Sequence, residues 1–596
     1  FAVLWMEHEA LAAAFNMEGA FNDVSLTLSP NASEPEVIAA VDRLLERYGC
    51  RGAYGREEQP SHRRVADEML QLRSMSIVMP FLFLAVSTFL FNLVLSRIVH
   101  QQQEQIATLR AFGYRASEVG LHYAKLLLVL ICVGVVAGTA VGVWLSRGMA
   151  ENYAFFFRFP ELHFVVAWDQ IVVACLLSVA TATLGSASAV RRAMRLPPAV
   201  AMRPEVPQVY RPALVERIGL RRFLTPVALL VFRRLERNKV LTGLSVLGMA
   251  MGLAILVLGS FLEDTVDFMM EALFERAQRQ DVTLTFIEPI SAGGIYDVQH
   301  LPGVTAAERF RATSVRLVHG RNSRRMALMG LEPQPQLFRL LDSQGNEVIL
   351  AEQGLTISQK LSELLNVSAG DEVEVEFLEE ERPNRQVRIS NVFPDYTEPA
   401  AYMSRRALAR LLQEGDQLSG AFLAVDSRQM PQLQAAVKET PAVAGITVKN
   451  AAKESFEHTI AENLRQMRSV NAIFAAIIAF GVIYNCALIT LAERSRDLAS
   501  LRVLGFTRGE VSTVLLGELA VITLLALPVG LPIGYALSYV TTIVMDTETH
   551  RFPLVIQRAT FAYATTMILA AAGVSAMIVR QMLDRLDLVA VLKVKE

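Results

Sequence analysis

Seven long apolar stretches constrain this chain more than any other feature of its sequence. Each is long enough, or nearly so, to cross about 30 Å of hydrocarbon as a helix, which takes about 20 residues. Thoroughly polar stretches separate them, and only 19% of all residues are charged, against about 25% in an ordinary soluble protein. The sequence therefore predicts a membrane protein with seven spans, at roughly residues 75–97, 121–145, 168–190, 241–262, 472–491, 511–540 and 561–579.

The loops between these stretches predict which side of the membrane each part faces, because Lys and Arg collect in cytoplasmic loops. Residues 191–239 carry twelve Lys and Arg against three acids, so we expect them to be cytoplasmic. Counting spans from there places the loops around Arg110 and Arg502, together with the C-terminus, on the same side. Residues 1–73 and 263–466 then face outward.

The two outward regions have the patterns of soluble structure. In the first, "NDVSLTLSP" alternates like a strand and "EPEVIAAVDRLLERYG" has helical apolar spacing. The second mixes expected strands, "DVTLTF" and "DEVEVEFLEE", with an expected helix, "LTISQKLSELLN". An α+β extracytoplasmic domain is predicted over residues 263–466, and residues 1–73 are expected to be a domain fragment followed by a stalk helix.

Two further segments give expectations about the membrane. Residues 204–240 read as a cytoplasmic linker in which "FLTPVALLVFRRLERNK" predicts a helix lying along the membrane surface. The opening "FAVLWMEHEALAAAF" has neither a basic region nor a small-residue cleavage site, so it does not resemble a signal peptide. We expect at least one further membrane helix upstream of it.

An internal repeat organises the membrane part. The segment "EQIATLRAFGYRASEV" at residues 104–119 aligns without gaps on "RDLASLRVLGFTRGEV" at 496–511, an offset of 392, with six of sixteen positions identical. The match continues at the same offset, and Arg73-Ser74 upstream matches Arg468-Ser469 with a drift of a few residues. About 130 residues are therefore duplicated. Two copies in one orientation predict halves related by a pseudo-two-fold axis along the membrane normal.

The sequence "LAERSRDLASLRVLGFTRGEV" resembles the cytoplasmic coupling segment of FtsX-like ABC permeases, the superfamily that includes MacB and the lipoprotein-releasing permeases. Both repeats carry the resemblance, and "LTISQKLSELLNVSAGDEVEVEF" is similar to the extracytoplasmic domain of MacB-type permeases. The resemblance implies a membrane α-helical bundle of two tandem FtsX-like repeats, at residues 74–203 and 467–596. A MacB-like periplasmic domain at 263–466 would follow the single membrane helix at 241–262.

The resemblance also implies a mechanism, in which a cytoplasmic ABC ATPase dimer pushes on short coupling helices and the motion reaches the outer domains. Apolar side chains of these helices would seat in a groove of the ATPase, while Arg110 or Arg502 pairs with acids at its rim. A glycine would end each helix in the left-handed conformation. The predicted coupling residues are Glu104, Leu109, Arg110, Phe112, Gly113, Tyr114 and Glu118 in the first copy, and Asp497, Leu501, Arg502, Leu504, Gly505, Phe506 and Glu510 in the second.

A second set of residues is predicted to pack helices together. Glycines four residues apart let helices approach closely in lipid. A polar Asn within a span is either an interhelical hydrogen bond or part of a polar path. The candidates are Gly134, Gly138, Gly142, Gly248, Gly252, Gly530, Gly534, Asn92 and Asn485. The aromatic stretch "YAFFFRFPELHF" at 153–164 reads as a short outer loop, either an interfacial belt or a contact for a hydrophobic substrate.

The sequence also argues against several classes of protein. It has no GxxxxGK[ST] loop, no HExxH and no GxSxG, so we expect no enzyme, no metal site and no cofactor in this chain, with ATP and Mg²⁺ bound by the partner ATPase. A net charge of −2 gives no basic excess for nucleic acid. The spans lack the runs of buried Asp, Glu or Lys that a proton-coupled pump would use.

Two functions remain after these exclusions. The first is an inner-membrane permease that extrudes or extracts a hydrophobic or lipid-linked substrate, with a periplasmic adaptor as a candidate partner. The second is a signalling scaffold of the FtsX kind, which activates a periplasmic hydrolase and transports nothing. Both use the same coupling logic, so the fold does not separate them. A membrane-anchored binding protein without an ATPase would leave the duplicated motif idle.

Overall fold

The computed structural model describes residues 6–48, 52–157, 161–195, 226–237, 239–343, 345–379, 384–395, 399–457, 503, 505–545 and 551–584, together with the pieces 469–470, 472–474, 476–478, 480–481 and 483–484. The first third of the chain is helical. Its helices are α1 (His8–Phe15), α2 (Glu34–Leu45), α3 (Pro60–Gln101), α4 (Gln103–Ala111), α5 (Ala116–Phe157) and α6 (Trp168–Arg195).

The expected stalk and the expected first span form one continuous helix. Helix α3 runs for 42 residues and contains Pro80. It packs along α6, where a side chain on Gly185 would lie 2.6 Å from the backbone oxygen of Thr88. Only a glycine permits this approach, so the pair fixes how closely the two helices lie. Helix α5 extends to Phe157, so the first part of the expected outer loop at 153–164 is helical.

The second membrane unit is built around a buried central helix. It contains α7 (Pro226–Arg237) and α8 (Lys239–Met270), followed after the α/β domain by α14 (Arg508–Val544) and α15 (Arg558–Asp584). Helix α8 lies against α14 and α15, and Met249, Leu253 and Val257 have no exposed surface. The amphipathic segment expected at the membrane surface forms α7, which buries Val231 and Leu235 against α14.

Among the residues that the structure describes, five helices are long and apolar enough to span a membrane. They cover residues 116–154, 168–187, 242–277, 509–544 and 558–582, and so coincide, to within three residues, with or enclose five of the seven expected spans. The span expected at 75–97 lies within α3. The span expected at 472–491 falls mostly on residues outside the described part of the chain.

An α/β domain, residues 278–457, stands between α8 and the second repeat. Its strands are β1 (Val282–Ser291), β2 (Val304–His319), β3 (Asn322–Leu331), β4 (Leu355–Ser358), β5 (Glu372–Phe377), β6 (Asn384–Phe393), β7 (Ala401–Ser404), β8 (Gln417–Val425) and β9 (Val443–Val448). Its helices are α9 (Gly294–Gln299), α10 (Gln359–Leu365), α11 (Arg405–Leu412), α12 (Met430–Lys438) and α13 (Lys449–Phe456).

The long strand β2 belongs to both halves of this domain. Its second half pairs with β3 and β5, which closes a ring in the order β3-β7-β4-β6-β5-β2 around a core that includes Leu317, Leu328 and Phe377. Its first half pairs with β8, which continues through β1 to β9 and packs under α9 and α12. Two cores are thus joined along one strand, so β2 fixes their relative position.

Three local expectations about the soluble regions have different outcomes. Strands form at "DVTLTF" and within "DEVEVEFLEE", as predicted. The segment "LTISQKLSELLN", expected to be helical throughout, starts as strand β4, and the helix begins only after Ser358. The side chain of Ser358 caps this helix by accepting a hydrogen bond from the Leu361 N–H. The prediction of a strand at "NDVSLTLSP" is wrong, because residues 22–29 have no regular structure and pair with none of the strands in the described part of the chain.

Candidate functional site

The first predicted coupling segment forms a short helix held firmly against the start of α5. On α4, Ile106 and Ala107 are 2% and 0% exposed. Ile106 packs with Val119 and Tyr123, and the Tyr123 hydroxyl donates to Gln102 Oε1 at 2.5 Å. A force applied to α4 would therefore be transmitted directly to α5.

The opposite side of the segment presents apolar and aromatic groups to solvent. The side chains of Leu109, Phe112 and Tyr114 are 44%, 80% and 54% exposed, and we call these three the coupling patch. Arg110 stands between them, partly buried. Glu104 lies in the first turn of α4. An exposed aromatic group beside an arginine is the composition of a protein contact rather than of an ordinary solvated helix.

A glycine shapes the end of this helix. Gly113 has φ +94°, and its N–H donates to the Arg110 oxygen at 3.1 Å while the Tyr114 N–H donates to the Leu109 oxygen at 3.2 Å. These two bonds make a Schellman motif, which needs the left-handed conformation that glycine adopts without strain. Gly505 in the second copy has φ +96°, so both copies turn in the same way.

The glutamates that are identical in the two copies, Glu118 and Glu510, share a local role. Glu118 Oε2 accepts from the Arg115 N–H at 2.7 Å, and Glu510 Oε2 accepts from the Thr507 N–H at 2.8 Å. In the second copy Thr507 Oγ1 also accepts from the Glu510 N–H at 3.2 Å, which completes a capping box. Both carboxylates therefore fix the turn to the next helix. The T-x-x-E pattern at 507–510 could have revealed this from the sequence.

The remaining coupling residues of the second copy are described only in part. Phe506 is half-buried and packs at the α8–α14 core, and Val503, which aligns with Ala111, is 71% exposed. Asp497, Leu501, Arg502 and Leu504 lie outside the described residues. Their roles stay predictions.

The predicted packing residues divide between the two repeats. Gly530 and Gly534 lie against α8, where added side chains would meet the Ala250 oxygen at 2.7 Å and Val257 Cβ at 2.8 Å. Two further predicted glycines, Gly248 and Gly252, are buried in α8 itself. The first-repeat residues Gly134, Gly138 and Gly142 meet nothing within 4 Å. Asn92 is partly buried in α3, and Asn485 lies outside the described residues.

A polar anchor that the sequence did not predict ties the outer end of α8 to the second repeat. Asp264 is 7% exposed, and its Oδ2 accepts from the Gln557 N–H at 2.8 Å and from Thr560 Oγ1 at 2.5 Å. The neighbouring Thr265 donates to the Pro553 oxygen at 3.0 Å. An acid at the end of an apolar stretch is the only sequence signal for this anchor, since its partners lie almost 300 residues away.

The α/β domain continues from α8 and also contacts the outer loop of the second repeat. A helical turn, Glu271–Ala277, leads from α8 towards β1, and Lys453 Nζ binds Glu275 Oε1 at 2.5 Å. The hydrogen bond to Glu275 raises the pKa of Lys453. Arg551 of the outer loop contacts Glu363 of α10 at 3.3 Å. The membrane unit and the domain are therefore joined at two separate places.

A buried arginine holds the two halves of the α/β domain together. Arg311 lies on β2 where its pairing changes from β8 to β3, and it is 3% exposed. It binds Glu414 through Nε at 2.9 Å and Nη2 at 3.2 Å, Glu379 at 3.3 Å and Ser419 Oγ at 3.0 Å. Burial alone would lower the pKa of Arg311, but the hydrogen bond and charge of Glu414 outweigh it and raise the pKa.

Comparison with known protein families gives matches over three regions of the chain. The FtsX-like permease C-terminal family matches residues 77–198 and 469–586, and the MacB-like periplasmic core domain matches residues 242–440. The two matches of the first family confirm the repeat that the sequence predicted. Together the matched regions contain most of the chain, including both copies of the coupling segment.

Two solved structures of isolated domains are similar to part of the chain. One is the extracellular domain of the noncanonic ABC-type transporter YknZ from Gram-positive bacteria, at 13% identity, 27% of this chain, 97% of that chain and a TM-score of 0.22. The other is the periplasmic region of MacB from Actinobacillus actinomycetemcomitans, at 13% identity, 31% of this chain, 98% of that chain and a TM-score of 0.22. No curated protein matches the sequence. On its family matches, the chain belongs to the FtsX/MacB-like ABC transporter permease family and carries two FtsX repeats.

Proposed function

We propose that this chain is the membrane subunit of an ABC transporter that works by mechanical transmission. A separate cytoplasmic ATPase dimer binds ATP and Mg²⁺ and pushes on the coupling segments of both repeats. The chain lies in a bacterial inner membrane with its C-terminus in the cytoplasm, and its two repeats form the halves of a pseudo-two-fold bundle. The α/β domain lies in the periplasm, where an adaptor or hydrolase is a candidate partner. The substrate is a hydrophobic or lipid-linked molecule, which is extruded or extracted.

The coupling patch is the observation that carries this proposal. Phe112 is 80% exposed on a helix whose other side is buried, so its exposure does not result from disorder of the segment. Burying an exposed Phe yields about 1.5–3 kcal/mol. The coupling patch, with Leu501 and Leu504 at the corresponding positions of the second repeat, would supply a substantial part of the binding energy for a two-fold ATPase dimer.

Packing contacts within each repeat support transmission. Motion of α4 passes to α5 through Ile106 and Val119. In the second repeat, α14 packs along α8, and α8 leads through Glu271–Ala277 towards the α/β domain. The bonds of Asp264 to Gln557 and Thr560 keep the outer end of α8 tied to α15.

The test is co-purification of the ATPase from the native membrane. The variant combines Phe112→Ala with Leu504→Ala, its counterpart at the offset of 392. At about 2 kcal/mol per lost Phe or Leu contact, affinity should fall about 30-fold per site. Gln105→Ala, an exposed change on the same helix α4, is the matched control and should bind as wild type does. Equal binding by all forms would refute the docking assignment.

A further inference from the structure

The loop that leads into helix α3 contacts the α/β domain. It covers residues 52–59, and we call it the latch loop. Arg325 Nη1, on strand β3, donates to the Gly52 oxygen at 3.1 Å. The guanidinium carbon of Arg325 also lies 4.8 Å from the centre of the Tyr54 ring. Arg325 therefore holds the loop in two ways, by a charge-assisted hydrogen bond and by stacking on an aromatic face.

The latch loop is held in shape on its other side as well. The Ala53 N–H donates to Asp42 Oδ1 of α2 at 2.6 Å. Gly52 has φ +94°, which residues with a side chain rarely adopt, and a Cβ there would lie 3.8 Å from Leu378 Cδ2. Leu378 follows β5 and is 6% exposed. The loop backbone therefore lies directly on the α/β domain.

The position of Arg325 in the sheet indicates that this contact offsets a cost within the domain. Arg325 lies opposite Arg316 in the β2–β3 ladder, and like charges at opposite positions destabilise a sheet. Arg316 pairs with Glu376 of its own domain at 3.4 Å. Burial lowers the pKa of Arg325, and the charges of Asp42 and Glu58, which precede α3, act in the opposite direction. Arg325 therefore receives compensation from the segment before α3.

Helix α3 connects the latch loop to the first coupling segment. The turn Arg56–Glu58 leads directly into α3, which runs for 42 residues, about 63 Å at 1.5 Å per residue, and ends where α4 begins. Near its outer end, Glu68 Oε1 accepts from the Tyr153 hydroxyl at 2.8 Å, which ties α3 to the outer end of α5. Movement of the first coupling segment would therefore reach the latch loop.

The second repeat contacts the same half of the α/β domain. We call the half that is built on strands β3-β7-β4-β6-β5-β2 the ring half. It contains β3 with Arg325, and it contains α10, whose Leu361 lies in its core. Arg551 of the second repeat contacts Glu363 of α10 at 3.3 Å. Both repeats therefore reach the ring half at their outer ends.

We propose that Arg325 and the latch loop form a tether through which the first repeat moves the ring half. The second repeat holds the ring half at Arg551 and positions the other half through α8 and Glu271–Ala277. A change in the relative position of the two repeats then displaces the ring half against the other half, with β2 as the shared strand. This use of the tether rests on the proposed function, whereas the contact itself does not.

Photo-crosslinking of the full chain in its native membrane tests the contact. A benzophenone side chain replaces Tyr54, or Phe21, an aromatic residue that also precedes α3 and is 56% exposed. From Tyr54 we expect a crosslink to a peptide of the same chain that contains β3 or Leu378. From Phe21 we expect no crosslink to that peptide. A Tyr54 adduct with another polypeptide, or none with the α/β domain, would overturn the proposal.

Amide exchange without nucleotide measures what Arg325 contributes. Arg325→Met removes the hydrogen bond and the stack, so the Ala53 amide should exchange at least about tenfold faster. Arg321→Met changes an exposed arginine in the turn between β2 and β3 and is the matched control, with no change expected. Amides of β8 should stay protected in both variants, which shows that the domain remains folded. Equal Ala53 exchange in the two variants would contradict the tether.

The same measurement with the co-purifying ATPase bound tests transmission. Addition of ATP should alter exchange in β3 and at Glu271–Ala277 of the wild-type chain. In Arg325→Met the response of β3 should be lost and that of Glu271–Ala277 kept, because only the first depends on the tether. A β3 response that persists in Arg325→Met would refute transmission through the tether. Loss of both responses in the wild type would refute the proposed function and transmission with it, whereas the Ala53 result decides the contact.

Discussion

Replacing Arg311 by Met should loosen the junction between the two halves of the α/β domain. The arginine is 3% exposed, and its partners Glu414 and Glu379 are 7% and 21% exposed. Removing one partner of a buried ion pair costs about 3–5 kcal/mol, because the remaining charge stays buried without compensation. Glu379 retains some contact with water, so we take the lower end, about 3 kcal/mol.

Hydrogen–deuterium exchange of the full-length protein in detergent measures this cost locally. Since about 1.4 kcal/mol is a tenfold change in an equilibrium constant, amides of β2 and β8 near the junction should exchange about 150-fold faster in Arg311→Met. The matched control is Arg316→Met on the same strand. Its pair with Glu376 at 3.4 Å is 27% and 29% exposed, so a loss of about 0–1 kcal/mol is expected. Equal effects of the two changes would refute the assignment of Arg311 as the junction residue.

Three further outcomes follow from the same structure. Gly534→Leu should lower the stability of the detergent-solubilised protein by about 1–3 kcal/mol in thermal unfolding, because its Cβ would meet Val257 at 2.8 Å, whereas Gly148→Leu meets nothing within 4 Å and should be neutral. Asp264→Ala removes two charge-assisted bonds, each worth about 1.5–3 kcal/mol, so the Gln557 amide should exchange at least tenfold faster. Glu308 lies on β2 and accepts hydrogen bonds from the Gln336 and Leu337 N–H groups. Burial raises the pKa of Glu308, so its stabilising contribution is complete below the unfolded pKa of about 4.3 and is lost as pH rises through the higher folded pKa. Glu308→Gln should therefore slow exchange in the α/β domain relative to wild type at pH 7 and not at pH 4.

The sequence predicted the features that arise from long periodic patterns. Five apolar stretches, the strands β1 and β5 and the family of the repeats were all recognisable from hydropathy, alternation and self-similarity. The left-handed turn at Gly113 was also predicted, because few residues other than glycine adopt its φ of +94°. These features depend on residues close together in the chain.

The features that the sequence did not predict depend on distant partners. The hydrogen bond between Asp264 and Thr560 joins two residues that are 296 positions apart in the sequence. No local sequence pattern indicates that these two side chains will be in contact. The same reason explains the failed strand at residues 22–29, since alternation shows that a strand can form but its partner strands decide whether it does. The start of α10 was misplaced because the three residues before Ser358, Leu355, Thr356 and Ile357, fit either a helix or a strand.

The central claim is that the two charged coupling segments receive the force of an ATPase. The most direct test is ATP turnover by the ATPase that co-purifies from the native membrane, reconstituted with wild-type chain or with Arg110→Glu combined with Arg502→Glu. Reversing both charges should repel the acids expected at the rim of the ATPase groove, so turnover stimulated by the chain should fall to that of the ATPase alone. Unchanged stimulation in the double variant, or the absence of any co-purifying ATPase, would contradict the account.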